Sequence, residues 1–127
     1  MRVVDTCVWI EIFADTPSRP KLLAEVPRGA DEIIVPSIVI LEVCKWALRE
    51  ARQDVGEAFL AFAENCVPVP LDNRNASDAA FICSRYKLAT ADAIVYQAAI
   101  AAKAELLTCD AHFSGLPKVQ YIPKNGG

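Results

Sequence analysis

What most constrains this chain is an alternation. Apolar runs too short for helices, at residues 3–4, 33–35, 67–71, 106–107 and 119–122, are separated by longer stretches with helical periodicity, sometimes two in succession. Strands joined through helices pair in parallel, and a parallel sheet must be covered on both faces. The expected fold is therefore α/β: a three-layer α/β/α sandwich around a central parallel sheet. Pro68 and Pro70 fall within the third run, and proline cannot donate to a sheet ladder, so that strand belongs at an edge. If strands 1 to 3 step outward and the chain then returns, the order is 3-2-1-4-5. The crevice of such a sheet opens between strands 1 and 4.

The intervening stretches carry their own signals. Val8, Trp9, Ile12 and Phe13 recur at helical spacing after the first strand, and a second helical piece surrounds Leu22, Leu23 and Val26. Ser37 is placed to cap a long third helix, and residues 55–66 form the clearest amphipathic pattern. Asp72 or Asn73 caps a helix with Ala79, Ile82, Cys83 and Tyr86 on one face. Thr90 caps the next, which runs to about Ala104 and is apolar nearly all round, as a central helix would be.

At 127 residues, 54% of them apolar and 23% charged, the chain suits one ordered domain over residues 1–127, with about 123–127 (PKNGG) a loose tail. The short run before Asp5 lacks the basic and long apolar regions of a signal peptide, so a cytoplasmic location is expected. Pro36 and Glu42 interrupt one apolar stretch and Lys103 and Glu105 another, leaving neither fit to span a bilayer. Five scattered cysteines and one histidine offer no zinc pattern and read as reduced core thiols. A net charge of −3 excludes a protein that coats nucleic acid by bulk attraction.

Four acids stand where the crevice should be. Asp5 and Asp110 follow strands 1 and 4, Glu42 lies inside the apolar helix after strand 2, and Asp92 sits in the first turn of the helix led by Thr90. Singly, Asp5, Asp92 and Asp110 are more often caps than ligands. Glu42, with apolar neighbours on most sides, must reach solvent or a partner. Two carboxylates about 5 Å apart repel by roughly 3 kcal/mol at an effective dielectric near 20. Three or four together call for a hard cation, and oxygen donors favour Mg²⁺ or Mn²⁺. Such an ion polarises a phosphoryl oxygen and activates water, which is the chemistry of phosphodiester hydrolysis.

The strings VVDTCVWIE, SIVILEV, LATADAIVYQAAI and LLTCDAHFSGLP, in this order and spacing, resemble the PIN-domain ribonucleases, and within them the VapC-like toxins of toxin–antitoxin pairs. The resemblance covers essentially the whole chain and implies the same strand order. It implies that Asp5, Glu42, Asp92 and Asp110 are the metal-binding catalytic acids, with Thr6 and Thr108 as supporting hydroxyls. It also implies a Mg²⁺- or Mn²⁺-dependent endoribonuclease acting on tRNA, rRNA or mRNA, a homodimer, and a cognate antitoxin partner. Cys7 departs from the Ser or Asn of many relatives, and Tyr96 and Gln97 from smaller residues.

Lys45, Arg49 and Arg52 follow Glu42 at helical spacing and are candidate RNA contacts, as are Arg85 and Lys87; a solvated surface stripe is the plain alternative. His112 is expected in a short turn, and Trp9 and Trp46 in the core or at a dimer contact. Two other functions compete. A catalytically inactive PIN-like module would bind RNA or protein without cutting it. A phosphatase or phosphoreceiver domain also places an acid after strand 1, but this chain lacks a D-x-D pair there.

Overall fold

In the computed structural model, which describes residues 1–125, five strands form one parallel sheet: β1 (Arg2–Val4), β2 (Ile33–Pro36), β3 (Val67–Val69), β4 (Glu105–Thr108) and β5 (Val119–Tyr121). Their order is β3-β2-β1-β4-β5, the order expected from the edge prolines. Pro68 pairs with Val35 and leaves no neighbour on the outer side of β3. The three inner strands carry the core: Val3, Val4, Ile33, Ile34, Val35, Leu106 and Leu107 are all buried. Each such side chain contributes roughly 1.5–3 kcal/mol of gross burial energy.

Helices α1 (Thr6–Phe13), α2 (Arg19–Leu23), α3 (Ser37–Arg49) and α4 (Gln53–Ala63) connect β1 to β3, and α5 (Asn73–Tyr86) and α6 (Thr90–Ala101) return the chain to β4. Because the chain first steps outward and then reverses, right-handed crossovers put α1–α4 over one face and α5–α6 over the other. Helix α6 rests on β1, β2 and β4, and α3 touches it. Ala93, Val95, Tyr96, Gln97, Ala98 and Ala99 are buried, which accounts for an α6 that is apolar nearly all round.

Two expected caps are displaced by one residue. Ser37 and Thr90 are the first helical residues, while Pro36 and Ala89, both extended, hold the cap positions without a side-chain hydrogen bond. Asp72 does cap α5, accepting from the Asn75 amide at 2.8 Å. Trp9 and Trp46 are buried, Trp9 in an aromatic cluster with Phe13, Phe59 and Phe62. Of the tail expected to be loose, Asn125 is bonded to Ser18, Pro17 and Lys21; residues 126–127 lie outside the described residues.

Candidate active site

Strands β1 and β4 lie side by side, so the residues that leave their carboxyl ends meet. The ladder runs one step past β1, the Asp5 amide donating to the Leu107 carbonyl at 2.9 Å. Asp5 then turns the chain into α1 as its N-cap, one carboxylate oxygen accepting from the Thr6 amide at 2.8 Å. The other oxygen accepts from the Thr108 hydroxyl, also at 2.8 Å. That same hydroxyl accepts from the Asp110 amide at 3.0 Å, so one side chain ties both strand ends together. On the neighbouring helix, the Thr6 hydroxyl donates to Glu42 at 2.7 Å.

Asp92 approaches from α6, where the first turn places its charge at the helix's positive end. Asp110 caps a 3-10 turn, Ala111–Phe113, by accepting from the His112 amide at 2.9 Å. This fold-back brings the imidazole to the acids: His112 Nδ1 is 3.2 Å from Asp110 and 3.8 Å from Asp92. One donor atom from each of Asp92, Asp110 and His112 lies within 4.8 Å of the other two. Sequence reasoning put His112 in a turn but not at the acids. The available signal was its position two residues after a capping aspartate.

Electrostatics bind the two groups of acids into one site. Burial pushes the Asp5 carboxyl up to about 6; hydrogen bonds from Thr108 and Thr6 oppose this, and the charge of Asp92 adds to it. The Asp92 carboxyl is also raised, first by burial, then by Asp110, with Glu42 adding and His112 opposing. Among the described residues, no lysine or arginine lies within ion-pair distance of Asp5, Glu42, Asp92 or Asp110. Carboxylates gathered without a lysine or arginine partner suit a hard divalent cation.

The sequence profile of the PIN domain matches residues 2–119. The chain belongs to the PIN domain family. No curated protein matches it significantly in sequence. Among solved structures, this PIN domain is similar to the toxin–antitoxin complex from Klebsiella pneumoniae (TM-score 0.78, 21% identity, covering 96% of this chain and 100% of that one). It is also similar to Mycobacterium tuberculosis VapC20, a Sarcin-Ricin loop cleaving toxin (0.78, 16%, 97% and 100%), and to FitAcB from Neisseria gonorrhoeae (0.72, 19%, 97% and 98%). At these identities the likeness is one of fold. No helix among the described residues is long and apolar enough to cross a membrane.

Around the acids, this PIN domain's other candidate residues fall in different places. Helix α3 ends at Arg49, Glu50 caps it and Ala51 is left-handed (φ 56°), so Arg52 lies beyond the stripe that helical spacing suggested. Its guanidinium donates to the Phe13 carbonyl at 2.9 Å and lies 5.5 Å over the Trp46 ring. Lys45 and Arg49 are exposed, Arg49 lying 3.7 Å from Glu50. Arg85 and the left-handed Lys87 are exposed where α5 ends, beside the start of α6. Tyr96 and Gln97 face inward: Tyr96 bonds to the Pro117 carbonyl at 2.6 Å and Gln97 to Asn75 at 3.3 Å, so both shape packing. Cys7 makes a polar contact with the site, its Sγ lying 3.6 Å from an Asp5 oxygen.

Proposed function

We propose that this PIN domain is a divalent-metal-dependent endoribonuclease and the toxin of a toxin–antitoxin pair. The observation that carries the reading is the convergence of carboxylates from the β1 end, α3, α6 and the β4 end with, among the described residues, no lysine or arginine to neutralise them. Asp5, Asp92 and Asp110 would hold Mg²⁺ or Mn²⁺, with Glu42 completing the acid set. A bound cation there supplies charge against the scissile phosphate and lowers the pKa of water. Thr108 orients Asp5 and Asp110 together, and Thr6 fixes Glu42. His112 stands beside Asp110, where it takes a proton from, or returns one to, the reacting groups.

The similarity of the whole fold to a chain of a toxin–antitoxin complex supports a protein antitoxin as partner. Exposed Leu41 and Leu48, seven residues apart on one face of α3, support a homodimer. For RNA, Arg85 and Lys87 are candidate contacts, Lys87 standing three residues before Thr90, the first residue of the helix whose first turn carries Asp92. Arg49 stands about 10 Å along α3 from Glu42, and Lys45 about half as far. The test is cleavage of total RNA and purified tRNA with Mg²⁺, Mn²⁺ or EDTA. Metal-dependent fragments are expected, and Asp5→Asn should lower their yield roughly 100-fold or more while the chain stays folded. Full cleavage by a folded Asp5→Asn variant would remove the assignment, and absence of both cleavage and metal binding would favour an inactive binding module.

A further inference from the structure

The mechanism above makes no use of Cys7 and Cys109. Cys7 is the second residue of α1 and Cys109 the first after β4, so the pairing of β1 with β4 sets them together. The Cys109 amide donates to Cys7 Sγ at 3.3 Å. Cys7 Sγ also lies 3.5 Å from the Thr108 hydroxyl and 3.6 Å from an Asp5 oxygen. Both cysteines line a cavity of about 430 Å³, along with Asp110, Tyr121 and Lys124. The other thiols are placed differently: Cys44 and Cys66 point at the carbonyls of Gly56 and Phe62, and Cys83 lies on α5.

We propose that Cys7 and Cys109 form an oxidation site, at which peroxide entering the cavity closes a disulfide and displaces the support of Asp5. One sulfur attacks a peroxide oxygen, the O–O bond breaks, and a sulfenic acid and one water result. The second sulfur then attacks the first, the S–S bond forms, and the sulfenic oxygen leaves as a second water. The two thiols give up two electrons and two protons, and the peroxide is reduced to water. An S–S bond of about 2.05 Å requires Cys7 Sγ to leave its contacts with the Cys109 amide, Asp5 and Thr108 for covalent contact with the Cys109 sulfur. Cys7 Sγ then gives up its place between Asp5 and Thr108, whose own bond fixes the carboxylate. The consequence for metal binding rests on the nuclease reading; the disulfide does not.

Reduced protein treated with hydrogen peroxide, quenched, alkylated under denaturing conditions and digested decides the matter. Cys7 and Cys109 should appear as one linked peptide pair that dithiothreitol separates, with Cys44, Cys66 and Cys83 alkylated. Cys7→Ser and Cys109→Ser should each yield no such pair. By calorimetry, the oxidised chain should bind Mn²⁺ roughly 10-fold or more weakly than the reduced chain. Alkylation of all five thiols, or a link through any of the other three, overturns the proposal, and a linked pair with unchanged Mn²⁺ affinity overturns its claim on Asp5. If reduced protein binds no Mn²⁺, the nuclease reading and the coupling fall together, while the linked peptides still decide the oxidation site.

Discussion

The two ends of strand β1 handle charge in opposite ways. At its amino end, Arg2 donates to the Glu25 side chain at 2.9 Å and to its carbonyl at 2.7 Å, and lies 3.2 Å from Glu105 on β4. At its carboxyl end, Asp5 faces three further acids, and among the described residues no lysine or arginine answers them. The same three strands frame both ends. The amino end is electrostatically complete within the chain, whereas the carboxyl end accumulates unfavourable charge that an external cation would relieve. The two ends of one strand thus differ in whether their charge is answered within the chain.

The largest expected effect comes from titrating the unrelieved end. The folded-state pKa of Asp5 is raised from 3.8 to about 6. Its contribution is therefore fully present below pH 3.8 and is lost as pH rises through about 6. In EDTA the chain should lose up to about 3 kcal/mol across this window. Denaturant melts from pH 4 to 7 check it, and Asp5→Asn should flatten the profile. An unchanged slope in that variant would show that the carboxyl end is not strained by Asp5.

Restoring a cation should undo much of that loss. Mn²⁺ at 100 times its dissociation constant should stabilise the chain by about 2.7 kcal/mol above pH 6. Thermal melts should show this gain for the parent chain and little of it for Asp92→Asn or Asp110→Asn. A smaller effect is expected from Thr6→Val, which strips Glu42 of its 2.7 Å donor. Mn²⁺ affinity should fall roughly 10-fold, as calorimetry would read. Smallest of all is Arg2→Ala at the completed end. Its ion pairs are partly exposed, so a loss of about 0.5–1 kcal/mol is expected, with Mn²⁺ affinity unchanged. A drop in Mn²⁺ affinity in Arg2→Ala would break the separation between the two ends.

The fold was legible because its signals are local and redundant. Pro68 and Pro70 pointed to an edge, and if strands 1 to 3 step outward before the chain returns, the observed order follows. The acids were legible because Asp5 and Asp110 follow apolar runs and Glu42 interrupts one. What escaped depended on backbone detail. Nothing in the composition around Ala51 signals a left-handed residue, yet that conformation takes Arg52 off the α3 stripe. Ser37 and Thr90 are good cap residues, but Pro36 and Ala89 already hold the extended conformation, so the caps shift by one. His112 reaches the acids only because Asp110 bonds its amide. The Cys7–Cys109 contact needs the β1–β4 pairing, which periodicity alone cannot supply.

That pairing also sets a schedule. Asp5 receives its Thr108 bond across 103 residues of chain, so the first strand made must wait for the fourth before the acids can assemble. At roughly 5–20 residues per second, the interval during synthesis is on the order of 5–20 seconds. Throughout it, a nascent chain carries Asp5 without its partner strand and cannot form the complete site beside the ribosome that is making it. A central strand drawn from residues 2–4 and a neighbour drawn from residues 105–108 thus act as a timer. The acids come together only once β4 has been made and has paired with β1.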